Sequence, residues 1–546
     1  MSVGSARPML QGAPLYQASL TCGFPAVRND NIRMSPTLKI TVTNDSTAGG
    51  DSGHELLGSV VVFFATFAVY AWTVAPTITL VDSGELALVA QGWGVAHPPG
   101  FPLWVLLAHF ISLVPFGSVA LRLNLASALF GAAASALATL VTAELILAMR
   151  PSPVARSRRD QHRETTNSLA RLLPAMSAGL LFGFSRTLWS YATITEVYTL
   201  NSALILWIVF LMLRWRRTIQ SSGGTTAAKF KQSNLPLYLA AGLFGLALGA
   251  HHVTVGLILP ALALLVYRTA GSRYFASRRF AYAALISLAA AILVYSYLPI
   301  AASHAPLINW GTPLSAHAIW AHFTGRQYQS FLAFEPAMAG PRLLEVGRMI
   351  IREFSRPWLP VALLLAVVGF WAAFKKDRVL FWFLGLLVAA NLAYGMSYSI
   401  SEDKDAYYVT SFAAVAIAAG TGLHWLFCRV LSKFAKSWRV NVIAIVALLL
   451  VPAIAGASNW RFNNRRHYWI AHDYVANIFR SVERGGLLLT FDWQVASPMF
   501  YAQQVERRRR DVKIVDINLL RRSWYFDYLR RVYPGFIARS AGPVEA

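Results

Sequence analysis

The feature that most constrains this chain is a series of long apolar blocks separated by short connectors rich in Lys and Arg. Blocks such as Leu56 to Ala75, Leu125 to Ala148, Thr199 to Leu213 and Val361 to Phe374 approach the length a helix needs to cross a hydrocarbon core, about 20 residues. The runs are continuous, whereas half-buried strands would alternate polar and apolar residues. A chain of 546 residues that is 56% hydrophobic and only 14% charged is therefore expected to be an α-helical polytopic membrane protein. One crossing per block gives about eleven transmembrane helices, beginning near residues 56, 121, 173, 199, 236, 252, 280, 358, 379, 407 and 440. Pro102 to Val114 is too short to cross and is expected to lie on, or re-enter, the outer face.

The net charge of +24 would suit nucleic acid if it formed one patch, but it is dispersed over the connectors. Arg150 to Arg171, Arg214 to Lys231, Arg268 to Arg279, Lys375 to Arg378 and Arg429 to Arg439 each supply a cluster. This is the positive-inside pattern; it places those connectors in the cytoplasm and argues against a nucleic-acid partner. Residues 1–54, polar and mixed, are expected to form a disordered cytoplasmic tail ahead of a membrane domain over 55–457. From residue 458 the membrane pattern stops. Leu487 to Phe491 and Val512 to Ile517 read as buried strands, and Pro498 to Val505 and Trp524 to Val532 as helices, which predicts a small extracytoplasmic α/β domain over 458–546. Arg507 to Arg510 is expected to be a solvated or headgroup-facing turn. Two distant cysteines, Cys22 and Cys428, give neither a disulfide framework nor a metal-ligand spacing.

With this topology the unusual polar residues all fall in outer loops. Asp82 and Glu85, three apart, share a helical face and suit a general base with a supporting acid. A helix N-cap with an acid three residues on explains the same string, so both readings stand. Glu196 suits acceptor or sugar binding as well as a structural hydrogen bond. His251 and His252 diverge by about 100° on a regular helix, which favours donor contact or interfacial packing over joint metal ligation. Asn309 and Trp310 suit a turn with an interfacial anchor, or a stacking platform for a sugar. The string Glu402 to Asp405 is expected to be a solvated loop.

The order of these elements carries a resemblance. Asp82-Ser83-Gly84-Glu85, then His97-Pro98-Pro99-Gly100, then Arg122-Leu123-Asn124, within a first outer loop over 76–120, resembles the corresponding loop of GT-C glycosyltransferases. Gly94 to Gly100, Trp189-Ser190, Thr195 to Asn201, Gly249 to His252, Ile308 to Gly311, Asp405 to Tyr408 and Gln503 to Val505 are more specifically similar to protein O-mannosyltransferase-like multi-pass membrane proteins. The resemblance implies a GT-C-like bundle and a polyprenyl-phosphate sugar donor, with mannose as the sugar. It implies a hydroxyl acceptor, Ser or Thr of a protein or else a glycan. In that scheme Asp82 is the general base of one inverting displacement and Glu85 orients Asp82 or the acceptor. Arg122 and one of His97, His251 or His252 stabilise the departing phosphate, with Glu196, Asn309 and Trp310 on the substrate side. Neither a cofactor nor a catalytic metal is required, because the leaving phosphate is already a weak base. The expected setting is a bacterial inner membrane. The rival class is a flippase or transporter of a lipid-linked sugar, since acids at span mouths also serve transport. Against it stand the absence of an inverted repeat and the crowding of polar residues on one face.

Overall fold

Each apolar block is a helix in the computed structural model, which describes residues 47–149, 164–221, 234–333, 335–356, 359–399, 403–434 and 438–539. The eleven are Thr47–Thr73, Val119–Ala148, Glu164–Gly183, Tyr198–Ser221, Leu235–Gly256, Leu259–Ala270, Arg278–Tyr295, Val361–Lys376, Arg378–Ser397, Val409–Phe434 and Trp438–Asn463. Among the described residues, seven segments are long and apolar enough to cross a membrane alone: Gly53–Thr73, Val119–Ala148, Tyr198–Gln220, Leu235–Gly256, Arg278–Ser303, Arg378–Ser397 and Lys404–Arg429. Residues 1–46, most of the first basic connector and Glu402 lie outside the described residues.

Several boundaries differ from expectation for physical reasons. The block expected to start near 252 starts at Leu259, because His251 leaves helical geometry (φ −159°, ψ 90°) and Pro260 opens the following helix. Arg171 is not in a connector; it is buried inside Glu164–Gly183 and paired with Glu55 at 2.7 Å. Arg216 and Arg217 likewise belong to Tyr198–Ser221, where they pair with Asp377 at 2.6 Å and Glu144 at 2.7 Å. Small residues bring helices close. A side chain on Gly369 would collide with the Ala418 carbonyl, so Val361–Lys376 and Val409–Phe434 meet backbone to backbone.

The end of the bundle that carries Asp82 is cross-linked by buried polar groups. Asn124, fully buried, donates to the carbonyls of Ala75 (2.8 Å) and Thr77 (3.0 Å) and accepts from Thr195 Oγ1 at 2.6 Å. It thereby ties the exit of the first span to the segment that carries Glu196. Arg465 donates to the Ser190 carbonyl and to Thr193 Oγ1, both at 2.6 Å, fixing that segment from the other side. Each bond satisfies a group that burial would otherwise penalise by about 1–3 kcal/mol.

Beyond the last membrane helix, β1 (Leu487–Thr490) and β2 (Lys513–Asp516) pair in parallel, Leu487 opposite Lys513, with helix Trp493–Gln504 between them in sequence. Parallel strands need such a crossover. Gln503 makes the knot of this unit: its amide donates to the carbonyls of Arg509 and Val512, each at 2.8 Å, and its carbonyl accepts from Tyr533 at 2.8 Å. The arginine run is not simply solvated. Arg509 holds the carbonyls of Phe479 and Val482 and the carboxylate of Asp511, joining helix Ile470–Ser481 to the start of β2.

Candidate active site

The first span ends near Thr73, and Val81, at φ 67°, turns the chain into a nine-residue helix, Ser83–Gln91. Asp82 occupies the N-cap position of that helix yet makes no side-chain cap bond. Its Oδ1 instead accepts from the indole Nε1 of Trp493 at 2.7 Å, and its Oδ2 lies 3.8 Å from His97 Nε2. One turn on, Glu85 is almost fully buried and holds His97 twice. Its Oε1 accepts from the His97 backbone N–H at 2.7 Å and its Oε2 from the ring Nδ1 at 2.8 Å. The two carboxylates thus flank one imidazole. Burial works against charging His97, but Glu85 and then Asp82 overcome it and raise its pKa to about 9. His97 is therefore an imidazolium at neutral pH.

The ring of His97 is placed by its neighbours in the loop. Val95 and Asn309 form a parallel bridge, with Val95 N–H donating to Ile308 at 2.9 Å and Trp310 N–H to Val95 at 3.1 Å. Consequently the His-Pro-Pro turn and the Asn-Trp-Gly turn are two sides of one structure. Edge-on contacts with Phe101, Trp310 and Tyr328 complete the seat of the imidazole.

Asp82 and His97 open onto a cavity of about 780 Å³. Its walls include Trp310, Tyr328, Tyr398 and Tyr407, with His251 and His252 on the bundle side and Asn518 and Arg522 from the C-terminal unit. The kink at His251 explains why both histidines reach it. The rings lie 6.4 Å apart at an interplanar angle of 22°. His251 is oriented by Thr254 (3.0 Å), which in turn accepts from Asn201 at 2.7 Å. Nδ1 of His252 is buried and has no hydrogen-bond partner among the described residues.

A third acid and a fourth approach from other elements. Asp82, Glu196 and Asp403 place carboxylate oxygens within 4.8 Å of one another, and Asp82, Glu85 and His97 form a second such group. Either set has the donor types for a divalent cation. The Glu196 carboxylate accepts a 3.3 Å bond from the Val197 N–H; burial, then Asp403 and Asp82, push its carboxyl well above the carboxylate range. Tyr191 donates to Asp405 at 2.6 Å and to Asp403 at 3.1 Å. The loop expected to be solvated therefore supplies part of this cluster.

Of the residues singled out in sequence, Asp82, His97, His251, His252 and Trp310 line the cavity. Glu85 stands behind His97, and Glu196 reaches the edge through Asp82 and Asp403. Asn309 turns toward the Ala302 carbonyl (3.3 Å). Arg122 is not in the wall; its guanidinium donates to the Val114 carbonyl at the start of Val119–Ala148. Sequence reasoning missed Tyr198, Tyr328, Tyr398, Tyr407, Trp493 and Arg522. The repeated tyrosines in the outer loops were the available signal for four of them.

A helical membrane bundle whose loops at one end converge on an acidic, aromatic-walled cavity has a solved counterpart in fold. The crystal structure of ArnT from Cupriavidus metallidurans bound to undecaprenyl phosphate shares the fold, with TM-score 0.50 and 14% identity, over 85% of this chain and 91% of that one. Residues 82–274 match the family described as the protein O-mannosyl-transferase TMEM260 N-terminal domain, and residues 471–534 match TMEM260-associated domain 2. The protein O-mannosyl-transferase TMEM260 of Mus musculus is 27% identical over 523 residues, 91% of this chain and 68% of its own length. Its Dictyostelium discoideum counterpart is 20% identical over 513 residues, 85% of this chain and 58% of its own. By its similarity to these relatives the chain is a membrane glycosyltransferase, and it shares the fold of ArnT. Its sequence is similar to the protein O-mannosyl-transferase TMEM260 proteins over most of its length.

Proposed function

We propose that the protein transfers mannose from a polyprenyl-phosphate donor to a hydroxyl acceptor, Ser or Thr of a protein, with Asp82 as the general base. The observation that carries this reading is the Asp82 carboxylate at the cavity wall, one oxygen held by Trp493 and the other beside the His97 imidazolium. A base must be ionised and aimed before it can take a proton. The acceptor oxygen attacks the anomeric carbon, its proton passes to Asp82, and the bond from that carbon to the phosphate oxygen breaks with its electron pair staying on phosphate. The result is one inverting displacement.

Glu85 acts through His97, fixing its ring and its charge. The imidazolium, with His251 or His252 at the membrane end, faces the charge that grows on the departing phosphate. Tyr328, Tyr398, Tyr407 and Trp310 offer the flat apolar faces on which a sugar ring packs. The basic connectors lie on the cytoplasmic side and the cavity faces outward, where a lipid-linked donor replaces a nucleotide sugar. The setting that suits this arrangement is a bacterial inner membrane, with residues 1–54 inside, the membrane domain over 55–457 and the α/β unit over 458–546 outside.

The test is the Asp82→Asn variant, which keeps the acceptor for Trp493 and removes the base. Initial rates of mannose transfer from synthetic polyprenyl-phosphate mannose into protein of the host membranes should fall about 100- to 10,000-fold. Full transfer at saturating donor would exclude Asp82 as base. Movement of the lipid across a liposome without any glycoside formed would instead identify a flippase.

A further inference from the structure

We infer that the C-terminal β–α–β unit completes the catalytic site, and that Trp493 is a positioning residue for Asp82. This rests on the reading of Asp82 as the base. Trp493 opens the helix that follows β1, and its indole donates to Asp82 Oδ1 across 411 residues of sequence. Four residues later, Ser497 Oγ accepts from the backbone N–H of Glu85 at 2.8 Å. Between these two bonds lies Gly84, where any side chain would collide with the Ser497 carbonyl. The helix bearing both acids is thus seated directly on helix Trp493–Gln504.

The topology gives this contact its direction. In a parallel β–α–β unit, ligands gather at the carboxyl ends of the strands. Here β1 leads into Trp493, while β2 ends at Asp516 and is followed by Asn518 and Arg522, and all four line the cavity. The carboxyl ends of both strands therefore face the space that receives substrate. Trp493 itself is held by edge-on contact with Trp310, 5.6 Å between centroids. An indole so fixed gives a charge-assisted bond of one direction, pinning Oδ1 and leaving Oδ2 toward the His97 side.

The experiment compares full-length Trp493→Phe and Phe500→Leu in the membrane transfer assay with synthetic polyprenyl-phosphate mannose. Trp493→Phe keeps an aromatic ring against Trp310 and removes the donor. It should lower kcat about 10- to 100-fold with the donor KM within about two-fold, as for a misaligned group. The thermal midpoint in detergent should match the unmodified protein. Phe500→Leu trims a ring elsewhere on the same helix and leaves the indole donor and its contact with Trp310 in place; its kcat should stay within about two-fold of the unmodified value. Unchanged kcat in Trp493→Phe, or an equal fall in both variants, overturns the inference. Because Asp82→Asn is run alongside, an inactive Asp82→Asn with a fully active Trp493→Phe refutes only the positioning role. A fully active Asp82→Asn refutes the base itself.

Discussion

The imidazole of His97 sits between two carboxylates, and its charge decides what the pair can do. Its folded pKa of about 9 exceeds the value of about 6.5 expected in the unfolded chain. The stability it contributes is therefore complete below about pH 6.5 and is lost as pH rises through about 9. The transfer rate should fall along an alkaline limb near pH 9, and His97→Gln should be slower and lack that limb. Initial rates between pH 6 and 10 check this; a limb that persists in His97→Gln assigns it elsewhere. Asp82 and His97 were legible in sequence because acid and His-Pro-Pro recur in fixed order within one loop. Asp403 and Trp493 were not. Their partners lie hundreds of residues away, and nothing local to either string distinguishes it from a solvated turn.

Among helices, the sequence revealed existence better than ends. All eleven apolar blocks are helical, because a run of that length buried from water must satisfy its own backbone. The break at His251 was hidden, since no proline marks it; beside it stand a local bond from the ring to Thr254 and one long-range contact, the stacked ring of Phe101. Close helix contacts were equally silent until the neighbour was known. Gly369→Val should drive Val361–Lys376 away from Val409–Phe434 and cost about 1–3 kcal/mol, as overpacking of a tight interface does. A lower thermal midpoint in detergent is the readout, and an unchanged midpoint would show that the interface yields freely.

For the molecule as a whole, membrane class and the place of the C-terminal strands followed from the sequence pattern, though only β2 is buried and β1 is exposed or half-buried along its length, whereas the convergence of both parts on one cavity did not follow. Periodicity reports which face is buried, not against which partner. The proposed orientation makes a test of its own on the segment Arg278–Ser303, whose flanks should lie on opposite sides. In a Cys22→Ser, Cys428→Ser background, a membrane-impermeant maleimide added to intact cells should label Ser303→Cys and spare Ser272→Cys. The opposite pattern would invert the topology.

The hydrogen bond between Asp82 and Trp493 also has a meaning in time. Asp82 leaves the ribosome long before Trp493 does, and the two meet only after every membrane helix between them has been inserted. Under the proposed mechanism, a nascent chain with only its first loop made would lack the indole that aims its base. On that reading the reaction would wait for assembly, and a half-built enzyme would spend no donor.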